Sequence, residues 1–328
     1  MKTSKVIFQS LITLIVTLLL LILPSCSGNV EIKNLEIKKN ISIIVKMKDS
    51  DYWKTIKMGA DAAAKEFNID VRFSAPNEEV DIKGQVDMVE HAIKQKTDAL
   101  ILAASDYEAL AKVTEKAYNA GIPVIAIDSE LNSKKILSFI ATDNRDAGRK
   151  AAAELVKVAG DNCRVAVMSS VKGTGNARQR EEGIDEVLAK YPHVKIVAKE
   201  YCSSNVDIAR ELTNKILSGK VKADAFIALN DMSSIGVAEA VKQMALTSKV
   251  KVIAFDSTPE EIDYLEEDVI QTTIVQNPFN MGYLSVKYAV DAINGEIIPD
   301  RIDTGAKIIN KGNLYLTENQ KLLFPFVK

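Results

Sequence analysis

Val124-Ile125-Ala126-Ile127-Asp128-Ser129 and Val252-Ile253-Ala254-Phe255-Asp256-Ser257 are near copies of one another. Each follows a second apolar run, Ala99-Leu100-Ile101-Leu102-Ala103 in the first case and Ala225-Phe226-Ile227-Ala228-Leu229 in the second. Such unbroken apolar runs are expected of strands buried on both faces. Further strand candidates lie outward from them, at Ile41–Val45, Val71–Phe73, Phe139–Ala141, Val165–Met168, Ile196–Glu200 and Thr272–Val275. Amphipathic helical patterns fall between strands, as at Trp53–Phe67, Ile82–Lys96, Tyr107–Ala120 and Ala147–Ala159. Gly121 followed by Pro123 stops one helix and introduces the next strand. This alternation predicts an α/β protein with parallel sheets covered by helices on both faces. The repeat predicts two similar doubly wound lobes, each with an Asp at the carboxyl end of a matching strand. Ligands of open α/β sheets bind beyond those ends, so facing lobes would bring Asp128 and Asp256 into one cleft.

Other polar residues recur at strand ends. Asp49-Ser50-Asp51-Tyr52-Trp53 follows the first strand and holds the only Trp of the chain. Aromatic side chains there suit either packing in the core or stacking on the C–H face of a sugar ring. Asn230-Asp231 and Gln276 also end strands. They suit either helix caps or ligand hydroxyls, because an amide both donates and accepts. Gly173-Thr174-Gly175-Asn176-Ala177-Arg178 opens a helix, but Arg178 stands where a dinucleotide fingerprint needs its third Gly. Arg178 and Arg180 are instead candidates to face the cleft.

The 42 Lys and Arg against 44 Asp and Glu leave no basic excess for nucleic acid. With 47% hydrophobic and 26% charged residues, neither disorder nor a polytopic membrane protein is expected. Three Cys exclude a disulfide scaffold, and two His, His91 and His193, make a His-based metal site or acid–base pair unexpected. No nucleophile elbow, phosphate loop or zinc helix motif occurs, so no enzyme, cofactor or metal is expected. At the N-terminus, Lys2 and Lys5 precede an apolar run from Val6 to Leu23, then Pro24, Ser25 and Cys26. This order describes a secretory signal, and its ending resembles a bacterial lipobox. Residues 1–25 are expected to be a lipoprotein signal peptide, Cys26 the lipidated residue and 26–40 a tether. The body is then extracytoplasmic and anchored to the cell membrane.

From Ile41 to about Ile309 the chain resembles the type I periplasmic sugar-binding proteins, the ribose-binding and lac-repressor-like superfamily. The residues carrying the resemblance are Tyr52-Trp53 with Gly59-Ala60, Gly121 to Asp128, Thr142-Asp143-Asn144 with Gly148, Arg180 to Gly183, Asn230-Asp231, Phe255 to Pro259, and Gln276 to Pro278. The resemblance implies two lobes joined by a three-strand hinge, with crossings near Thr142, Gln276 and Asp303. The N-terminal lobe would comprise 41–141 plus 277–303, and the C-terminal lobe 142–276 plus 304–328. It further implies a sugar sandwiched by Tyr52 and Trp53, with Ser50, Asp128, Arg180, Asn230, Asp256 and Gln276 on its hydroxyls. Ser129 stands where ribose binders have Arg, Ser50 where they have Asn, and Ser204 lies near their cleft Phe. Asp128-Ser129 is similar to the deoxyhexose and autoinducer-2 binders. Ser129 joins the expected ligand set on that ground. The implied partner is an ABC-type sugar permease; the alternative is a membrane receptor or sensor kinase. A repressor role is not expected, because a signal segment stands where a DNA-binding motif would.

Overall fold

The computed structural model describes residues 38–324. The signal peptide, Cys26 and the tether up to residue 37 lie outside them. Twelve strands form two six-stranded sheets among the described residues. The first sheet contains β1 (Asn40–Ile44), β2 (Asp70–Ser74), β3 (Ala99–Leu102), β4 (Val124–Ile127), β5 (Ser138–Ala141) and β11 (Arg301–Asp303), in the order β11-β5-β4-β3-β1-β2. The second contains β6 (Arg164–Ser169), β7 (Lys195–Tyr201), β8 (Ala225–Ala228), β9 (Lys251–Phe255), β10 (Thr272–Gln276) and β12 (Ala306–Asn310), in the order β12-β10-β9-β8-β6-β7. All pairings are parallel except β10 with β12.

Successive side chains of a strand point to opposite faces, and each central strand divides accordingly. In the first sheet Ile101 and Ile125 join Trp53, Ile56 and Ala60 of α1 (Asp51–Glu66) and Val286 and Ala289 of α9 (Pro278–Ile293). Leu100, Leu102, Val124 and Ala126 join Val89 of α2 (Ile82–Lys94) and Val113 and Ala117 of α3 (Ala111–Asn119). In the second sheet Ile227, Ile253 and Phe255 pack against α4 (Asn144–Ala159) and α5 (Gly175–Leu188). Phe226, Ala228, Val252 and Ala254 pack against α6 (Val206–Ser218), α7 (Asp231–Gln243) and α8 (Pro259–Glu266). Each lobe is thus doubly wound, as the unbroken apolar runs required.

Helix contacts are also duplicated. A Cβ at Gly59 or Gly282 would lie 2.0 or 1.9 Å from a carbonyl oxygen of the facing helix, so α1 and α9 touch through bare backbone. Gly148 and Gly183 do the same for α4 and α5, at 2.1 Å each.

The chain passes between sheets after β5, after β10 and between β11 and β12. These passages are tied together: the Thr304 amide donates to the Ala141 carbonyl at 3.0 Å, and the Asp143 amide to Asp303 Oδ1 at 3.0 Å. β11 and β12 were not among the expected strands. The helix expected from Tyr107 begins only at Ala111. Asp106 Oδ1 accepts from the amides of Glu108 and Ala109, which forms a turn in place of the first helical hydrogen bonds. The Tyr107 amide donates to the Gly173 carbonyl at 3.1 Å. His91 and His193 are exposed, and Cys163 and Cys202 are buried free thiols. Among the described residues no helix is long and apolar enough to cross a membrane.

Candidate functional site

The carboxyl ends of the two sheets face each other across a cavity. Its walls include Ser50, Tyr52, Trp53, Asp128, Arg180, Asn230, Asp256 and Gln276. Eight of the nine residues expected to bind ligand are therefore brought together. The ninth, Ser129, departs from the expectation. It is fully buried and absent from the cavity wall, and its hydroxyl donates to Asp128 Oδ2 at 3.0 Å. It supports the carboxylate and does not itself reach the cavity.

Asp128 and Asp256 follow β4 and β9 directly, with φ of +60° and +77°. Asp tolerates this left-handed conformation better than most residues. The amide of each closes onto the neighbouring strand, Asp128 onto Ile140 at 3.2 Å and Asp256 onto Ile274 at 3.0 Å. Their surroundings differ. Asp128 receives Lys46 Nζ at 2.9 Å, the Tyr52 hydroxyl at 2.9 Å and Asn176 Nδ2 at 3.2 Å. Burial alone would raise its carboxyl, but Lys46 and Arg180 hold it below the ordinary Asp value. Asp256 receives Gln276 Nε2 at 2.8 Å. Burial pushes it up to about 7, with Asp231 adding to the rise and Arg180 opposing it. Burial and the Asp128 charge raise the Tyr52 hydroxyl well above its ordinary value, so it stays a donor.

Arg180, on α5, is 2% exposed and stacks 4.4 Å above the Phe255 ring. Its Nε donates to Asn144 Oδ1 at 2.8 Å and its Nη1 to the Leu229 carbonyl, while Nη2 is buried with no partner among the described residues. Asn230 caps α7: its Oδ1 accepts from the Ser233 amide at 3.1 Å, and its Nδ2 donates to Ser204 at 3.2 Å. Trp53 is 5% exposed and meets the Tyr52 ring edge-on at 5.0 Å, so it serves the core and the cavity wall together. Arg178 does not line the cavity; its guanidinium lies 4.5 Å over the Tyr107 ring.

Sequence reasoning missed Lys46, Glu79 and Asn176. Lys46 lies two residues beyond β1 and is 1% exposed. Its ammonium has three oxygens in reach: Asp128 at 2.9 Å, Glu79 at 3.2 Å and Asn176 at 3.4 Å. Asp128 and Glu79 raise its pKa against the effect of burial, which is the largest influence. The signal for Lys46 was the one used for Asp128, a polar residue closing a buried strand.

The lobes also hold each other across the cavity. Ser50 donates to Asp231 Oδ2 at 2.9 Å, Ser204 to Glu79 Oε2 at 2.6 Å, and Gln179 to Glu130 Oε2 at 2.7 Å. A larger, mostly apolar cavity shares Tyr52, Asp256 and Gln276, but Ile262, Val275, Pro278 and Leu322 build it, and among the described residues no cation lines it. The smaller one adds the cations Lys46 and Arg180 to its amides, hydroxyls and carboxylates. Among the described residues no cluster of His, Cys, Asp and Glu could hold a metal.

Residues 41–297 match the family model described as the periplasmic binding protein domain. The D-allose-binding periplasmic protein of Escherichia coli (strain K12) is 26% identical over 267 residues, covering 79% of this chain and 86% of its own. A carbohydrate transporter solute-binding protein from Agrobacterium radiobacter, solved in complex with D-arabinose, superposes with a TM-score of 0.85 at 31% identity, covering 88% of this chain and 99% of its own. An ABC transporter solute-binding protein from Agrobacterium vitis with bound D-fucose gives 0.85 at 32% identity, covering 87% and 99%. All three are named for binding or transport and none for catalysis. With its family model spanning most of the described residues and its two doubly wound lobes closing on a polar cavity, this chain belongs to the type I periplasmic sugar-binding proteins, which are extracytoplasmic binding proteins and not enzymes.

Proposed function

We propose that the protein is a lipid-anchored solute-binding subunit that captures a monosaccharide between its lobes and delivers it to an ABC-type sugar importer. The observation that carries this reading is the cavity wall, where polar side chains of both sheets converge on one space. Relatives with D-allose, D-arabinose and D-fucose in their names support a hexose, pentose or deoxyhexose. Ser50, Asp128, Arg180, Asn230, Asp256 and Gln276 meet the sugar hydroxyls, with Ser129 acting through Asp128. Tyr52 and Trp53 cover the apolar face of the ring. Lys46 and Asn176 extend this set.

The moving units are 41–141 with 277–303 and 142–276 with 304–328, hinged near Thr142, Gln276 and Asp303. Contacts from both lobes are complete only when the cleft is shut, so ligand shifts the population toward that state. The importer reads the shut state. Residues 1–25 direct export, Cys26 carries the lipid and 26–40 form the tether.

The test is a titration of Trp53 fluorescence with pentoses, hexoses and deoxyhexoses, with calorimetry alongside. One sugar giving a saturable change that Asp128→Ala abolishes supports the reading. Calorimetric silence with every sugar overturns it. Loss of incorporated fatty acid in Cys26→Ser tests the anchor.

A further inference from the structure

Besides Tyr52, six ionisable side chains line the cavity: the cations Lys46 and Arg180 and the acids Glu79, Asp128, Asp231 and Asp256. None is more than 6% exposed, so water screens none of them well. Buried charges are ordinarily paired, and here the pairing does not close. Lys46 is shared between Asp128 and Glu79. Arg180 spends two of its donors on Asn144 and Leu229. Asp231 is held by neutral donors, Ser50 on Oδ2 and its neighbour's Met232 amide on Oδ1 at 2.8 Å. Asp256 has the Gln276 amide. Neither Asp231 nor Asp256 forms an ion pair among the described residues. Glu261, 1% exposed, feels the charge of both, and burial raises its own carboxyl well above the ordinary Glu value. With every carboxyl ionised, the four acids of the wall outnumber its two cations.

We propose that the ligand is a monosaccharide carrying a protonated amine, an amino sugar, whose ammonium meets the Asp231 and Asp256 side of the cavity while a ring hydroxyl meets Arg180. The proposal rests on the sugar-binding reading above and adds the charge class of the ligand. Two independent features favour it together. The excess of buried carboxylates calls for a cation. The partnerless Arg180 Nη2 calls for an acceptor oxygen. A neutral sugar supplies the oxygen without the charge, and a simple amine supplies the charge without the oxygen. An amino sugar brings both on one ring. Burial raises both Asp256 and Asp231, against the Arg180 charge at Asp256 and the Ser50 and Met232 donors at Asp231, and an ammonium beside them would lower both. Glu79 contributes by occupying part of Lys46, which would otherwise offset more of the negative charge.

The experiment titrates the full-length chain in detergent, by calorimetry near neutral pH, with glucosamine, galactosamine and mannosamine. Each is compared with its neutral parent hexose and with its N-acetyl derivative, which keeps the nitrogen and loses the charge. The expected result is one amino sugar binding at least about tenfold tighter than both, with that ratio reduced in Glu79→Gln and in Asp256→Asn. A parent hexose binding as tightly as its amino form overturns the proposal and leaves the sugar-binding reading standing. A panel in which no sugar of any kind binds overturns both.

Discussion

Asp128 and Asp256 occupy the same place in their lobes, yet their chemistry is opposite. Both close the matching strand, both take a left-handed backbone, both precede Ser, and both tie their amide to the next strand. Asp128 has an ammonium at 2.9 Å and is held below the ordinary Asp value despite its burial. Asp256 has no ion-pair partner among the described residues, and burial pushes it up to about 7. Local sequence placed the two carboxyls alike. Distant neighbours, Lys46 from the segment after β1 and Glu79 from the loop after β2, made them different. One lobe presents a neutralised anchor and the other an acid waiting for a partner.

The sharpest way to break this contrast is to remove the cation that creates it. Lys46→Met would leave Asp128 and Glu79 buried with no ammonium between them. Removing one partner of a buried pair costs about 3–5 kcal/mol. Urea unfolding should show a loss of that order, and calorimetry a collapse of sugar affinity. A loss under about 1 kcal/mol would mean that the two carboxylates do not depend on Lys46.

The paired substitutions Asp128→Asn and Asp256→Asn test the contrast itself. Asp128→Asn strips a charged acceptor from Lys46, Tyr52 and Asn176, at about 1.5–3 kcal/mol for a hydrogen bond to a charged group. Asp256→Asn mimics the protonated form that burial favours. The sign follows from linkage. The folded pKa of Asp256 is raised, so its stabilising contribution is full below the ordinary value of 3.8 and is lost as pH rises toward about 7. The folded pKa of Asp128 is lowered, so its contribution is present at neutral pH and is lost only as acid protonates it. Thermal unfolding of the ligand-free protein across this range should show Asp128→Asn destabilised at neutral pH. Asp256→Asn should equal or exceed wild type there, with a flatter pH profile. Equal losses in both variants at neutral pH would erase the asymmetry.

Where the lobes are alike, their mutants should be alike. Gly282→Ala would force α9 off α1, and Gly148→Ala would force α4 off α5, each by a Cβ about 2 Å from a carbonyl oxygen. Overpacking of this kind costs about 1–3 kcal/mol. The two unfolding midpoints should fall by comparable amounts.

The same contrast shows what a sequence can carry. Eight of the expected strands were legible because burial on both faces leaves an unbroken pattern, and the half-exposed edge strands β2 and β7 were legible from their Val, Ile and Phe residues. Arg301-Ile302-Asp303 and Ala306–Asn310 were not, because edge positions flanked by exposed charges leave no such pattern. Asp128 and Asp256 were legible because the echo marked them twice. Lys46 ends an equally apolar run, but Lys is ordinarily exposed, so it reads as a solvated flank until Asp128 and Glu79 are seen beside it. Glu79 and Asn176 carry no local mark: Glu79 meets Lys46 only through the fold, and Asn176 meets Asp128 only across the lobes. The resemblance of Asp128-Ser129 to deoxyhexose and autoinducer-2 binders places Ser129 on the ligand, but its side chain turns back onto that carboxylate. Position along the chain locates a cleft residue to within one place; the pleat and the partner decide which neighbour faces inward.

Ser129 therefore gives the smallest and most discriminating effect. Ser129→Ala removes one donor from Asp128 Oδ2 at 3.0 Å and leaves Lys46, Tyr52 and Asn176 in place. One hydrogen bond among several is worth about 0.5–1.5 kcal/mol, so sugar affinity should fall by less than about tenfold. In the other lobe Ser257 borders the apolar cavity, and no hydrogen bond links it to Asp256. Ser257→Ala should leave affinity nearly unchanged. Calorimetry on the two variants decides whether Ser129 acts through its carboxylate. A loss in Ser129→Ala far beyond tenfold would put its hydroxyl on the ligand and return it to the set the sequence proposed.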